Sequence, residues 1–125
     1  MTAQQIYEIA SSFLYESDGE DADSKKFSPG FLNVLLQEAL PYENSIRRHK
    51  EMAELSSAPY ITDLGTTIEY DDSITRIALP YGLAAHFFQE AMDDYQAENY
   101  RGKYALALVR AGKATQGVIE DANGG

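Results

Sequence analysis

The chain has no cysteine and no tryptophan, only two histidines and four prolines, and half as many basic as acidic residues. Without cysteine there is no disulfide, no thiolate nucleophile and no cysteine-ligated metal, which agrees with an intracellular origin. The two histidines, His49 and His86, lie far apart with no H-E-x-x-H spacing, so a histidine-based zinc site has no support. No glycine-rich phosphate loop is present, and neither histidine has a nucleophile and an orienting carboxylate in a recognisable motif. No apolar run approaches the roughly 18 residues that a membrane span needs. The start, Met1-Thr2-Ala3-Gln4-Gln5, lacks the basic stretch and apolar core of a secretory leader. The expectation is a soluble, non-secreted protein that does not engage a membrane, binds no cofactor and is not an enzyme.

Ten basic residues against twenty acidic ones give a formal charge of −10. Phosphate affinity rests on cation contacts and counterion release, so this balance argues against general nucleic-acid binding. It is compatible with a wall past which DNA slides, because like charge keeps the polyanion from adhering. It equally suits a solvated surface.

With 125 residues the chain is long enough for one domain with its own core, and no internal repeat or composition shift marks a second. Residues 3–15 carry Ile6, Ile9, Ala10, Phe13 and Leu14 at helical spacing, with Thr2 as N-cap and Gln5 at the capping-box position. The acidic stretch 16–26 reads as an exposed loop. Its carboxylates, Glu16, Asp18, Glu20, Asp21 and Asp23, do not fit a calcium loop: Gly19 is out of register and no glutamate follows at the twelfth position. Ser28-Pro29 then reads as a helix start. Phe31, Leu32, Leu35, Leu36, Ala39 and Leu40 form the strongest core face, ended or kinked by Pro41. Residues 43–55 continue as a polar helix or a structured loop anchored by Ile46, Met52 and Leu55.

After Pro59 the pattern turns β-like, and residues 60–62 and 66–70 are expected to pair as a short hairpin or to form an extended arm. A third helix over 73–92 is expected to bury Ile74, Ile77, Ala78, Tyr81, Ala84, Ala85 and Phe88, with Gly82 allowing close approach and Pro80 imposing a bend or an offset start. A fourth spans 94–111, with Gly112 as its stop. The fold class is therefore mainly α: a compact bundle of about four helices with the 59–71 segment inserted, one domain over 1–112 and a flexible tail over 113–125. The acidic pairs Asp71-Asp72 and Asp93-Asp94 fall at helix starts, where capping explains them better than acid–base chemistry.

One order of segments has a wider meaning. Residues 59–108 run from an extended segment interrupted by Asp63-Leu64-Gly65, through the cap Asp71-Asp72-Ser73, to a helix containing Leu79-Pro80-Tyr81-Gly82-Leu83-Ala84-Ala85. A tyrosine-rich helix with Asn99, Tyr100, Arg101 and Tyr104 follows. This order, with Phe31 to Leu40 and the segment 41–47 upstream, resembles the small head-tail connector (adaptor) proteins of tailed bacteriophages, over residues 28–110. The resemblance implies a homo-oligomeric ring, twelve-fold, that binds the portal protein on one side and a tail or neck protein on the other. DNA passes only through its axial channel. It places the protein at the head-tail interface of the virion, and in the host cytoplasm during assembly.

A ring of head-to-tail contacts needs two different patches per subunit. Nine tyrosines make tyrosine the natural interface residue. The subunit-contact candidates are Tyr60, Ile61, Ile68 and Tyr70 in the extended segment and Tyr95, Tyr100 and Tyr104 beyond it; core packing is an equal expectation for Tyr100 and Tyr104. The portal-docking candidates are Tyr42, the basic cluster Arg47, Arg48 and Lys50, and Val118 and Ile119 in the tail. The alternative is a small acidic regulatory or DNA-mimic protein that binds a basic partner.

Overall fold

The computed structural model describes residues 1–14 and 22–124, with side chains over 1–14 and 24–113. It is mainly helical: α1 (Ala3–Ser12), α2 (Ala22–His49), a π-helical turn (Ile74–Ala78) leading into α3 (Leu79–Glu90), and α4 (Asp94–Gly124). No strand forms among the described residues. The acidic residues considered for calcium lie largely outside that description.

A helix that is apolar all round must be covered all round. Leu79, Pro80, Gly82, Leu83, Ala84, Ala85 and Phe87 make α3 such a helix, and it packs against each of the other three. Its neighbours contribute stripes: Ala3, Ile6, Tyr7 and Ala10 from α1, Leu32, Leu35, Leu36 and Ala39 from α2, and Tyr104, Ala107, Leu108 and Ala111 from α4. Helix α1 starts as its sequence dictates. Thr2 Oγ1 accepts from Gln5 N at 3.2 Å and Gln5 Oε1 accepts from Thr2 N at 2.9 Å, closing the capping box.

Helix α2 departs from expectation at Pro29, beginning at Ala22 instead, and of the alternatives expected at Pro41 it continues as a helix rather than ending there. Ser28 is buried inside it and donates to the Ser24 carbonyl at 2.6 Å instead of capping a helix. Each proline deprives the carbonyl four residues earlier of its donor. Those residues, Lys25 and Gln37, are exposed, so both orphan carbonyls fall on the solvent side while the leucine face stays continuous.

Pro80 has the offset start expected of it. The π-helical turn precedes it, with Leu79 N–H donating to the Ile74 carbonyl, and Pro80 lies in the first turn of α3. The wider turn rotates the residues before it against those after. Ile74 and Ala78 face the core while Ile77, expected inside, is 51% exposed. Helix α4 also overruns its expected stop, passing through Gly112 to Gly124, with Gly112 seated against the Tyr42 ring.

The two β-like runs do not form a hairpin. Thr67 instead makes an antiparallel bridge with Thr2, in which Ile68 N–H donates to the Met1 carbonyl at 2.8 Å and Ala3 N–H to the Thr66 carbonyl at 2.9 Å. Gln4 N–H adds a bond to the Leu64 carbonyl at 2.8 Å, so the extended segment also covers the start of α1.

Helices α2 and α3 both end in a left-handed residue that is not glycine: Glu51 at φ 57° and Met92 at φ 62°. The surrounding bonds, Met52 N to Arg47 O and Glu51 N to Arg48 O, then Asp93 N to Phe88 O and Met92 N to Gln89 O, are those of Schellman caps. A side chain in this conformation costs about 1–2 kcal/mol, partly offset by the chain entropy that glycine loses on folding. Glu51→Gly is therefore expected to stabilise the fold by about 0.5–1 kcal/mol, read as a higher urea midpoint at unchanged slope.

Candidate functional site

The stretch 50–71 has no regular secondary structure, yet α2 holds it along its length with side chains that act as backbone partners. Asn33 pairs with both polar groups of Ile61: Nδ2 donates to its carbonyl at 2.9 Å and Oδ1 accepts from its N–H at 2.8 Å. Asn44 does the same to Leu55, at 2.9 and 2.8 Å. Asparagine inside a helix competes with the helix backbone and is disfavoured there. Two of them on α2, each spent on a remote backbone, act as staples. Tyr70 adds a third attachment, its hydroxyl donating to the Leu36 carbonyl at 2.6 Å.

The far end of the segment is fixed by a charged hub. Glu43, 2% exposed, accepts from Arg47 Nε at 2.6 Å and from the Asp71 N–H at 2.7 Å. Arg47 extends its remaining donors to the carbonyls of Ala53 at 3.1 Å and Glu69 at 2.8 Å. One buried carboxylate and one guanidinium thus tie α2 to three points of the segment. Outside them Lys50 Nζ meets Asp71 Oδ1 at 2.7 Å, while Asp71 Oδ2 accepts from Ser73 N–H at 3.0 Å and Ser73 Oγ at 2.6 Å. Burial of the Asp71 carboxyl opposes its ionisation, but the bonds from Lys50 and Ser73 prevail and hold it below the usual carboxylate range. The same bond to Asp71 raises the Lys50 ammonium. Burial pushes the Tyr70 phenol up to about 12, with the Glu43 charge adding to it.

Of the residues proposed for subunit contact, Ile61, Ile68, Tyr70 and Tyr104 are core residues. Tyr104 donates to Glu38 Oε1 at 3.0 Å, and its phenol is shifted up by burial first and Glu38 second. Tyr100 is half-buried in a stack with Phe13, Tyr81 and Phe88, at ring separations of 5.4, 6.0 and 5.2 Å. Only Tyr60 and Tyr95 remain well exposed, at 79% and 81%. Among the portal-docking residues, Arg47 belongs to the hub and Tyr42 packs on the core, while Arg48 and Lys50 keep exposed side chains paired with Glu54 and Asp71. Val118 and Ile119 lie on α4 beyond the described side chains.

Buried Glu43 and the half-buried Asn33 and Asn44 are not picked out as site residues by the sequence pattern. Glu43 and Arg47 stand four apart in the favourable order on a helix, and that signal was present. Asp93 accepts from Gln96 N–H at 3.1 Å and Asp71 opens the π-helical turn, so each acidic pair supplies a cap.

His86 stacks on Phe31 with ring centroids 4.7 Å apart and 12° between planes. Burial lowers its pKa, and Arg101 pushes the same way against Glu38 and Glu90. Between the unfolded value near 6.5 and the lower folded one, the unfolded chain binds more protons, so stability falls as pH drops through that window and levels off below it. In urea titrations between pH 7 and 5, His86→Phe, which keeps the stack, is expected to lose this part of the slope.

Among the described residues no cluster of histidine, aspartate and glutamate is placed to hold a metal ion, and no helix is long and apolar enough to cross a membrane. No family model matches the chain, and neither a curated protein nor a solved structure matches it.

Proposed function

We propose that this chain is a structural virion protein, a head-tail connector subunit that assembles into a ring between portal and tail around the DNA channel. The observation that supports it best is the 50–71 segment. Irregular loops beyond about 12–15 residues are uncommon inside compact domains and usually carry function. This one is stapled down by Asn33, Asn44 and the Glu43–Arg47 pair, and it displays Tyr60 at its surface. A fixed arm with an exposed aromatic tip is suited to meeting another folded surface without a large ordering cost. The twelve-fold symmetry and the portal and tail partners come from the resemblance in segment order. An acidic outer surface suits a channel through which DNA moves without sticking.

The net charge of −10 also supports a second reading, an acidic regulator or DNA mimic that binds a basic partner. Salt separates the two. Light scattering after size exclusion, at low and moderate salt, would weigh the protein alone and mixed with its cognate portal. A ring, or a stoichiometric portal complex that survives moderate salt, is the expected result. A monomer or dimer that ignores the portal overturns the connector reading, and one that binds basic partners only at low salt favours the regulator.

A further inference from the structure

Two exposed apolar patches on this molecule have opposite charge around them. The first is the corner between α3 and α4, where Met92 is 87% and Tyr95 81% exposed. Glu90, Asp93 and Asp94 surround them, all exposed. The second is a groove of about 410 Å³ between the π-helical turn and α4. Ile77 and Leu106 form its apolar floor, 51% and 48% exposed, with Lys103 and Arg110 beside them. Although acidic residues outnumber basic ones two to one, none of the described acidic side chains lines this groove. Among the described residues Lys103 and Arg110, like Lys25, Lys26, Arg76 and Lys113, have no ion-pair partner, while Arg47, Arg48, Lys50 and Arg101 are paired. Lys103 rests over the Tyr81 ring at 5.9 Å.

We infer that the groove receives the Met92/Tyr95 corner of a second copy of this chain, so that subunits join head to tail. Tyr95 and Leu106 are eleven residues apart on α4, three turns or about 16 Å along one face. A single molecule therefore cannot close its own corner onto its own groove, and the contact repeats from copy to copy. The two patches differ, so unless two copies exchange the contact reciprocally about a two-fold axis it is heterologous and propagates into a closed ring or an open filament; a parent species that stops at a dimer overturns the head-to-tail arrangement. The apolar side chains supply buried area, and the acidic rim of one copy meets the basic rim of the next, which fixes orientation and excludes like-charged encounters. Ring closure, as opposed to the contact itself, rests on the connector reading.

Complementation between two double variants tests it. Met92→Ser with Tyr95→Ser removes the corner, and Lys103→Glu with Arg110→Glu reverses the groove; all four side chains are exposed, and circular dichroism with thermal melts checks that each fold is kept. Sedimentation velocity from micromolar to near-millimolar protein is expected to show the unaltered chain associating and each variant alone weakened by roughly thirty-fold or more. An equimolar mixture retains one intact corner and one intact groove, so it is expected to yield heterodimers and nothing larger. The inference is overturned by unaltered assembly of either variant, by a mixture that stays monomeric, or by an unaltered chain that stays monomeric throughout. Failure of the ring separates cleanly from failure of the contact. Complementing variants with a parent species that grows without limit retain the contact and remove the ring, while a parent ring of fixed mass that both variants still form does the reverse.

Discussion

Replacing Glu43 by alanine is expected to cost about 3–5 kcal/mol, the usual consequence of removing one partner from a buried ion pair. The cost comes from what is left behind more than from the attraction lost. The Arg47 side chain is 12% exposed and would keep its charge with no carboxylate beside it, and the Asp71 N–H would lose the acceptor now 2.7 Å away. Two further variants separate these contributions. Glu43→Gln keeps an amide oxygen for the Asp71 N–H while removing the charge, so it is expected to fall between the parent and alanine. Glu43→Leu combined with Arg47→Met removes both charges together and is expected to recover much of the loss, because a buried pair is often replaceable by apolar side chains of similar volume. The residual deficit reports the Ala53 and Glu69 carbonyls that Arg47 now serves. Urea denaturation gives the stabilities, and hydrogen exchange at Asp71 shows whether the 50–71 segment opens before the bundle does. A cost of Glu43→Ala near 1 kcal/mol would mean that the hub is wet and dispensable.

If that segment is the molecule's presented surface, the hub is what lets an irregular stretch behave as a fixed element. A flexible arm ordering on contact would lose part of its binding energy to conformational entropy, about 1–2 kcal/mol for each backbone residue fixed. Here much of that ordering occurs on folding. Loosening the hub should weaken any assembly that uses Tyr60 even though Glu43 and Arg47 touch no partner.

Features decided within a few residues were legible in the sequence. Thr2 with Gln5 announced a capping box, Asp71 and Asp93 announced caps, and the leucine spacing of α2 announced its buried face. Features decided by remote partners were not. The run at 66–68 has the residues of a strand, but its partner is the chain start, more than sixty positions away, and no local turn chemistry could reveal that pairing. Pro29 carries a start signal and Pro41 a stop or kink signal, and tertiary packing overrode both as helix boundaries by placing the orphan carbonyls toward solvent. The tyrosines show the same limit at a candidate site. Tyr60 and Tyr95 point outward while Tyr70 and Tyr104 reach carbonyls or a carboxylate on α2, and one residue type serves both purposes because its ring buries and its hydroxyl bonds. Position in the chain distinguishes none of them.

At Gly82 sequence and structure agree, and this residue gives the second large expected effect. A Cβ built there would lie 2.8 Å from Leu35 Cδ2 and 3.0 Å from Tyr104 Cδ1, so the absent side chain is the space in which α2, α3 and α4 meet. Both neighbours would have to give way. Leu35 is buried, and Tyr104 is held by its hydroxyl bond to Glu38. Gly82→Ala gains about 1 kcal/mol of helix propensity but overpacks the core, an error that costs about 1–3 kcal/mol, so a net loss of about 1–2 kcal/mol is expected. Gly82→Val adds bulk at the same point with little propensity gain and is expected to lose about 3 kcal/mol or more. Gly102, exposed on α4 with nothing within 4 Å of a built Cβ, is the internal control. There alanine has only the propensity gain, and Gly102→Ala should raise the urea midpoint while Gly82→Ala lowers it. If both substitutions stabilise equally, helix packing at Gly82 is looser than these distances require. Combining Gly82→Ala with Leu35→Val, which removes the nearest methyl, is expected to recover part of the loss, and failure to recover any would assign the strain to the Tyr104 ring instead.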